Sequence, residues 1–161
     1  MSSVSDRSRS RRRLTTAIKG SLRELSNQLS LLNHQVGAHL DLKDVDIDCL
    51  ELISRHGPMS PSALARRAGL HPATMTGILD RLQRGGWITR ERDPDASDRR
   101  GVMVRAVRDR NAEIFGLYSG MNGRMDRIFT GYSDTELELL ADFLRRTTDA
   151  GQVATTELAD D

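Results

Sequence analysis

Arginine offers most of the chemistry in this 161-residue sequence, and its spacing is uneven. Arg99 and Arg100 stand side by side behind Asp98, at the end of a polar stretch that begins Asp93-Pro94. Strand-like runs at residues 87–92 and 102–105 flank that stretch, and a helical pattern ending in Gly85-Gly86 precedes it. A guanidinium can grip phosphate oxygens, pair bidentately with the O6/N7 edge of guanine, or enter a narrow minor groove drawn by its negative potential. A basic hairpin placed directly after a helix is therefore a way to hold two neighbouring grooves of DNA. Asp98 beside the pair suggests that one arginine is held by the carboxylate while the other reaches out. Arg90 and Arg92, on the first strand, fall near the phosphate level.

The other chemistry-bearing residues form no comparable pattern. The histidines are His34, His39, His56 and His71. None repeats at i, i+4, and no His-Glu-x-x-His or Cys-x-x-Cys spacing occurs. There is no phosphate-cradling glycine motif and no nucleophile elbow, so an enzyme is not expected and no cofactor is implied. His34, His39 and Asp41 cluster at one helix end, where exposed or capping roles compete with metal sensing. Cys49 lies among Asp44, Asp46, Asp48 and Glu51, and negative surroundings raise a thiol pKa. A structural cysteine is favoured over a redox sensor.

Composition bounds the rest. The length suits one core rather than two independent domains. Hydrophobic residues at 37% and charged residues at 29% describe a soluble domain, and aromatics at 4% argue against a large aromatic-lined pocket. No apolar run is long enough for a membrane span, and the Ser/Arg-rich start lacks the apolar core of a secretory signal. These features predict a cytoplasmic protein, and DNA binding would associate it with the nucleoid. The net charge of +1 hides a basic centre, rich in arginine from Arg66 to Arg105, and an acidic end from Asp134 onward. A local polyanion-binding face fits that asymmetry.

The elements that must position these groups are mostly helical. Residues 1–13 read as a disordered basic arm. Leu14, Ile18, Leu22, Leu25, Leu29, Leu32 and Val36 alternate steps of four and three, one apolar stripe on a helix spanning 14–42. Such a seam serves an oligomer or packs within the monomer. Residues 45–55 form a second helix. Ser60-Pro61 caps a third that ends at Gly69, and His71-Pro72 opens a fourth that ends at Gly85-Gly86. A helix over 107–130 follows the hairpin. Ser133 and Glu136 have capping-box spacing before a last helix, and residues 151–161 read as a flexible acidic tail. Residues 43–106 thus hold the reading domain, and 107–150 the closing helices.

Residues 60–84 fit a helix-turn-helix, whose second helix enters the major groove. On that helix Met75, Ile78, Leu79 and Leu82 have core spacing. Ala73, Thr74, Gly77, Arg81 and Arg84 lie on another face, small at its start and basic later. Thr74 and Thr76 are candidates for base or phosphate contact, Arg81 for a deeper reader or phosphate clamp, and Ser60 for contact at a helix start. Trp87 and Ile88 anchor the hairpin to the core.

Leu64-Ala65-Arg66-Arg67-Ala68-Gly69-Leu70, Thr74-Met75-Thr76, Leu79-Asp80-Arg81-Leu82, Gly85-Gly86-Trp87-Ile88-Thr89-Arg90, Asp93-Pro94 and Asp98-Arg99-Arg100, in this order and spacing, resemble the MarR family of winged-helix transcriptional regulators. The resemblance implies a mainly α fold with a small β wing, a winged helix-turn-helix with long flanking dimerisation helices. It implies a homodimer on a pseudo-palindromic operator of double-stranded DNA, with Leu22, Leu25, Leu29, Leu137, Leu140, Phe143 and Leu144 at the dimer interface. The family's wing arginine corresponds to Arg99 or Arg100. A repressor is expected, relieved by a small aromatic or phenolic effector in the cleft between the dimer helices and the winged helix. The hairpin tip is two residues longer than the family's common Asp-Pro-x-Asp-Arg-Arg. A sequence-tolerant architectural DNA binder, using the basic arm, is the alternative from another class.

Overall fold

The fold follows from one apolar stripe per helix. In a computed structural model, which describes residues 2–92, 95 and 101–160, the order is α1 (Ser2–Leu40), α2 (Asp44–His56), α3 (Pro61–Ala68), α4 (Pro72–Arg84), β1 (Ile88–Arg92), β2 (Val102–Ala106), α5 (Arg108–Phe129) and α6 (Asp134–Asp160). The chain divides into two compact units, Met1–Gly116 and Leu117–Asp161. The first holds the core. Leu50 and Ile53 of α2, Leu64 of α3, Met75, Ile78, Leu79 and Leu82 of α4, and Ile88 and Val104 of the two strands are all buried to 2% exposure or less. No helix among the described residues is long and apolar enough to cross a membrane.

The helix ends obey local chemistry. Ser60 Oγ accepts from the Ala63 N–H at 3.2 Å, satisfying a donor that the first turn of α3 leaves open. Gly69 takes φ 65° in the left-handed region, and the Leu70 N–H donates to the Ala65 carbonyl at 2.9 Å, closing the C-terminus. His71 caps α4 through its ring, Nδ1 accepting from the Ala73 N–H at 3.2 Å. At the far end of α4 Gly85 remains right-handed and Gly86, at φ 74°, makes the left-handed turn.

The strands pair antiparallel, Arg90 opposite Val104 and Arg92 opposite Val102. Met59 adds an isolated bridge to Val104 on the other edge of β2, its N–H donating to the Val104 carbonyl at 3.2 Å and its carbonyl accepting from the Val104 N–H at 2.8 Å. The loop before α3 thereby ties to the hairpin. Trp87, 2% exposed, closes the underside of the turn. Arg110 of α5 lies over its ring at 4.1 Å, donates to the Gly85 carbonyl at 3.0 Å, and pairs with Glu113 at 2.8 Å.

Two stretches differ from the expectation. Residues 2–13, read as a disordered arm, continue α1, and residues 151–160, read as a flexible tail, continue α6. Neither stretch contains proline. Extending an existing helix avoids the nucleation cost that an isolated segment would face. In the second unit, the Ser133–Glu136 capping box forms: the Ser133 N–H donates to Glu136 Oε2 at 2.8 Å, and Ser133 Oγ accepts from the Glu136 N–H at 3.3 Å. The Ser133 N–H, and after it the Ser133 hydroxyl donating to Oε2 at 3.1 Å, hold the Glu136 carboxyl below its ordinary pKa.

Cys49 is fully buried. Burial, then the negative charges of Asp46 and Asp48, push its thiol from the ordinary 9.0 up to about 11, with Arg81 opposing. Roughly one molecule in a thousand carries the thiolate at pH 8 with such a pKa. Iodoacetamide at pH 8 should therefore leave the folded protein unlabelled and label it in urea; prompt labelling of the folded chain would refute the buried thiol. The sign for stability follows. The unfolded chain loses the proton above 9.0 and the folded chain retains it, so Cys49 lowers folding stability as pH rises from 9.0 toward 11.

A Cβ at Gly85 would sit 2.6 Å from Trp87 Cδ1 and 2.8 Å from Nε1. The indole is packed and cannot retreat cheaply. Gly85→Ala should cost about 1–3 kcal/mol by overpacking, read as a melting midpoint lowered by several degrees; an unchanged midpoint would show that the indole moves aside.

Candidate nucleic-acid interface

With one face of α4 packed inward, the opposite face is left to solvent. Ala73, Thr74, Thr76, Asp80 and Arg84 are exposed, and Gly77 and Arg81 are half-buried. The start of the helix presents small side chains and the end presents cations. That profile suits a helix whose N-terminal turns approach base edges closely while later residues meet phosphates. Thr76 Oγ1 donates back to the Pro72 carbonyl at 3.1 Å, leaving its lone pairs and methyl outward. Arg84 Nε donates to the Asp80 carbonyl at 3.3 Å. Arg66 and Arg67 are exposed on α3 and extend the basic surface.

Three arginines of this region are engaged within the protein: Arg81, Arg90 and Arg105. Arg81 Nη2 donates to Asp46 Oδ1 at 2.8 Å, and Nε reaches Oδ2 at 3.5 Å. Asp46 is 1% exposed. Its hydrogen bond, ahead of its charge, raises the Arg81 pKa. Arg90, expected at the phosphate level, pairs with Asp80 of α4 at 2.7 Å, so β1 is tied to the exposed face of the helix. Arg105 pairs with Glu91 across the hairpin at 3.3 Å. Arg92 is exposed at the end of β1. Ser60 is occupied as the α3 cap and hydrogen-bonds Ser62 Oγ at 3.2 Å. Asp98, Arg99 and Arg100 lie outside the described residues.

The sequence reading missed Asp46 and Asp80 as partners. A carboxylate in the first turn of a helix reads as a dipole or cap residue, and no local signal tells that Asp46 meets an arginine 35 positions later. His34, weighed with His39 and Asp41 as a metal ligand, instead has its Nδ1 3.2 Å from Asp44 Oδ1. Among the described residues no group of three or more His, Cys, Asp or Glu could hold a metal.

A second feature lies beside the hairpin in the same unit. A cleft of about 470 Å³ opens between the end of α2, the end of β2 and the first turns of α5, lined by Ile53, Ser54, Pro58, Arg108, Asn111 and Phe115 among others. Asn111 is buried and its Nδ2 donates to Ser54 Oγ at 2.7 Å. Among the described residues its buried Oδ1 has no hydrogen-bond partner. The expected dimer residues lie on α1 and on α6. In the single chain Leu25, Leu29, Leu140, Phe143 and Leu144 are exposed, and Leu22 and Leu137 are half-buried.

Known proteins show the same pattern. The MarR family profile matches residues 42–102, which span α2 to the start of β2. The chain is similar to YcgE, an HTH-type transcriptional regulator of Bacillus subtilis (strain 168), with 29% identity over 74% of this chain and 77% of that protein. It is also similar to YetL, an HTH-type transcriptional repressor of the same organism, with 28% identity over 53% of this chain and 50% of that one. A solved structure of NadR in complex with 4-hydroxyphenylacetate shares the fold, with a TM-score of 0.60 at 21% identity, over 81% of this chain and 91% of that chain. The mainly α architecture with its two-stranded wing, the seated α4 with its open basic face and the matched segment agree: residues 42–102 match the MarR family of transcriptional regulators, and the chain shares the fold of solved winged-helix members.

Proposed function

We propose that the protein is a homodimeric, sequence-specific DNA-binding repressor, acting in the cytoplasm on a pseudo-palindromic operator. The observation that carries this reading is the open face of α4. Ala73, Thr74 and Gly77 allow close approach to base edges, and Arg84 follows at phosphate level, beside a hairpin fixed to the same helix through Arg90 and Asp80. Two such helices, one per protomer, would enter successive major grooves. Arg99 and Arg100 would follow the adjacent minor grooves. The exposed Leu25, Leu29, Leu140, Phe143 and Leu144 supply apolar area that a second copy would bury. Repression is supported by the likeness to YetL.

The effector reading rests on the Asn111 cleft. A buried carbonyl oxygen without a donor is costly, and a ligand hydroxyl would satisfy it. Phe115 at the mouth suits an aromatic ring, and Arg108 suits a carboxylate. A small aromatic or phenolic acid fits all three, and the 4-hydroxyphenylacetate bound to NadR is of that class.

Replacing Arg99 and Arg100 together by alanine should weaken operator binding ~100-fold or more, since a dimer loses two groove contacts, one per protomer, of about 1–3 kcal/mol each. A mobility shift on the protein's own promoter region reads this, while sedimentation should still show twice the 18.0 kDa chain mass. Normal binding by that variant would remove the wing assignment. A steep salt slope without preference for operator over random DNA would replace the repressor by an architectural binder. Asn111→Leu should keep operator affinity and abolish release by phenolic acids; release at unchanged concentrations would place the effector elsewhere.

A further inference from the structure

Among the arginines of the reading surface, Arg81 is gripped by a carboxylate that is itself removed from solvent. Asp46 Oδ1 accepts from Nη2 at 2.8 Å, and Oδ2 faces Nε at 3.5 Å. Oδ2 also accepts from the Lys43 backbone N–H at 3.0 Å. The Lys43 N–H therefore holds the carboxylate from one side, and the guanidinium meets it from another. It approaches along the Nε–Nη2 edge, which leaves Nη1 on the far side. Nη1 lies 3.9 Å from the position a Cβ on Gly77 would occupy, so the guanidinium is folded back one turn along the open face of α4. The Arg81 side chain keeps 35% of its exposure.

We infer that Asp46 is a positioning residue for DNA recognition: it holds Arg81 in one rotamer, folded back beside Gly77, so that Nη1 is presented to the DNA. A flexible arginine on a helix surface loses rotamer freedom when it binds. Here that freedom is lost when the protein folds, and the bound conformation is already in place. The guanidinium retains donors beyond those given to Asp46, because it carries five N–H groups. Its charge is partly balanced by Asp46, so its contribution is directional hydrogen bonding rather than bare attraction. The inference rests on the DNA-binding reading above and adds a contact that comes from α2 rather than from the helix-turn-helix itself.

A double-mutant cycle on operator affinity tests it, with all titrations held well below the melting midpoint of each variant. Arg81→Ala should lower affinity ~10–100-fold, in the range of one lost directional contact per protomer. Arg81→Lys, which keeps the charge but cannot span the carboxylate edge, should lose most of the same factor. Asp46→Asn should lower affinity by a similar factor in the parent protein and less than about twofold when Arg81 is already alanine, because independent effects would add and these should not.

An equal loss in both backgrounds would make Asp46 a merely structural residue and overturn the inference. So would Arg81→Ala binding like the parent, or an Asp46→Asn affinity that rises, which would mean that Asp46 withholds Arg81 from DNA. Should Asp46→Asn fail to fold, the Arg81→Lys and Arg81→Ala comparison decides: lysine binding like the parent overturns the inference. If the Arg99 and Arg100 double variant still loses operator binding while the cycle fails, only this inference falls; if both bind normally, the DNA-binding reading falls with it.

Discussion

Met75, Ile78, Leu79 and Leu82 seat α4 on the core, each at most 1% exposed. Burying such side chains contributes roughly 1.5–3 kcal/mol apiece. This stripe determines which residues of α4 cannot face DNA, and so which ones can. With those four positions turned inward, Ala73, Thr74, Gly77, Asp80 and Arg84 have nowhere to go but outward. The apolar stripe alone would allow the helix to rock about its axis. The Asp46–Arg81 pair opposes that motion by a directional contact across α2 and α4. Removing one member of a buried ion pair costs roughly 3–5 kcal/mol; the cost here is smaller, because Arg81 remains one-third exposed.

The far end of α4 is held by a different device. Gly85 has no side chain, which lets the Trp87 indole pack against its backbone. Arg110 then covers the ring and donates to the Gly85 carbonyl. One residue of α5 thus closes both the helix end and the start of the hairpin. Asn111, next in sequence, turns into the cleft. A ligand that shifts the first turn of α5 would act on Arg110 directly, and through it on the end of the reading helix. Coupling of this kind needs only differential contact with two arrangements of α5, not a long relay.

The near-neutral net charge also acquires a local meaning. Asp46 answers Arg81, Asp80 answers Arg90, and Glu91 answers Arg105. These acids hold particular arginines in place, and Arg66, Arg67 and Arg84 stay exposed beside them. Surface pairs such as Asp80–Arg90 contribute little to stability, typically about 0–1 kcal/mol. Their effect is on where each guanidinium points.

Much of this was legible in the residues alone. Helical periodicity, Ser60-Pro61, His71-Pro72, Gly69 and the Gly85-Gly86 pair set the order of the elements and the inward face of α4, because capping and amphipathicity act within a few residues. The family likeness could be read in the same segment, which carries the contiguous motifs. The extent of α1 and α6 was less legible, since the polar ends of a helix show no apolar period and their state depends on the helix they extend. The partners of Arg81 and Arg90, the orphaned oxygen of Asn111 and the grip of Arg110 on Trp87 were decided only by the tertiary structure. Each joins groups on different elements, and the energy of a buried charge or an unpaired acceptor depends on what folding brings within about 3 Å of it, a distance that sequence separation does not encode.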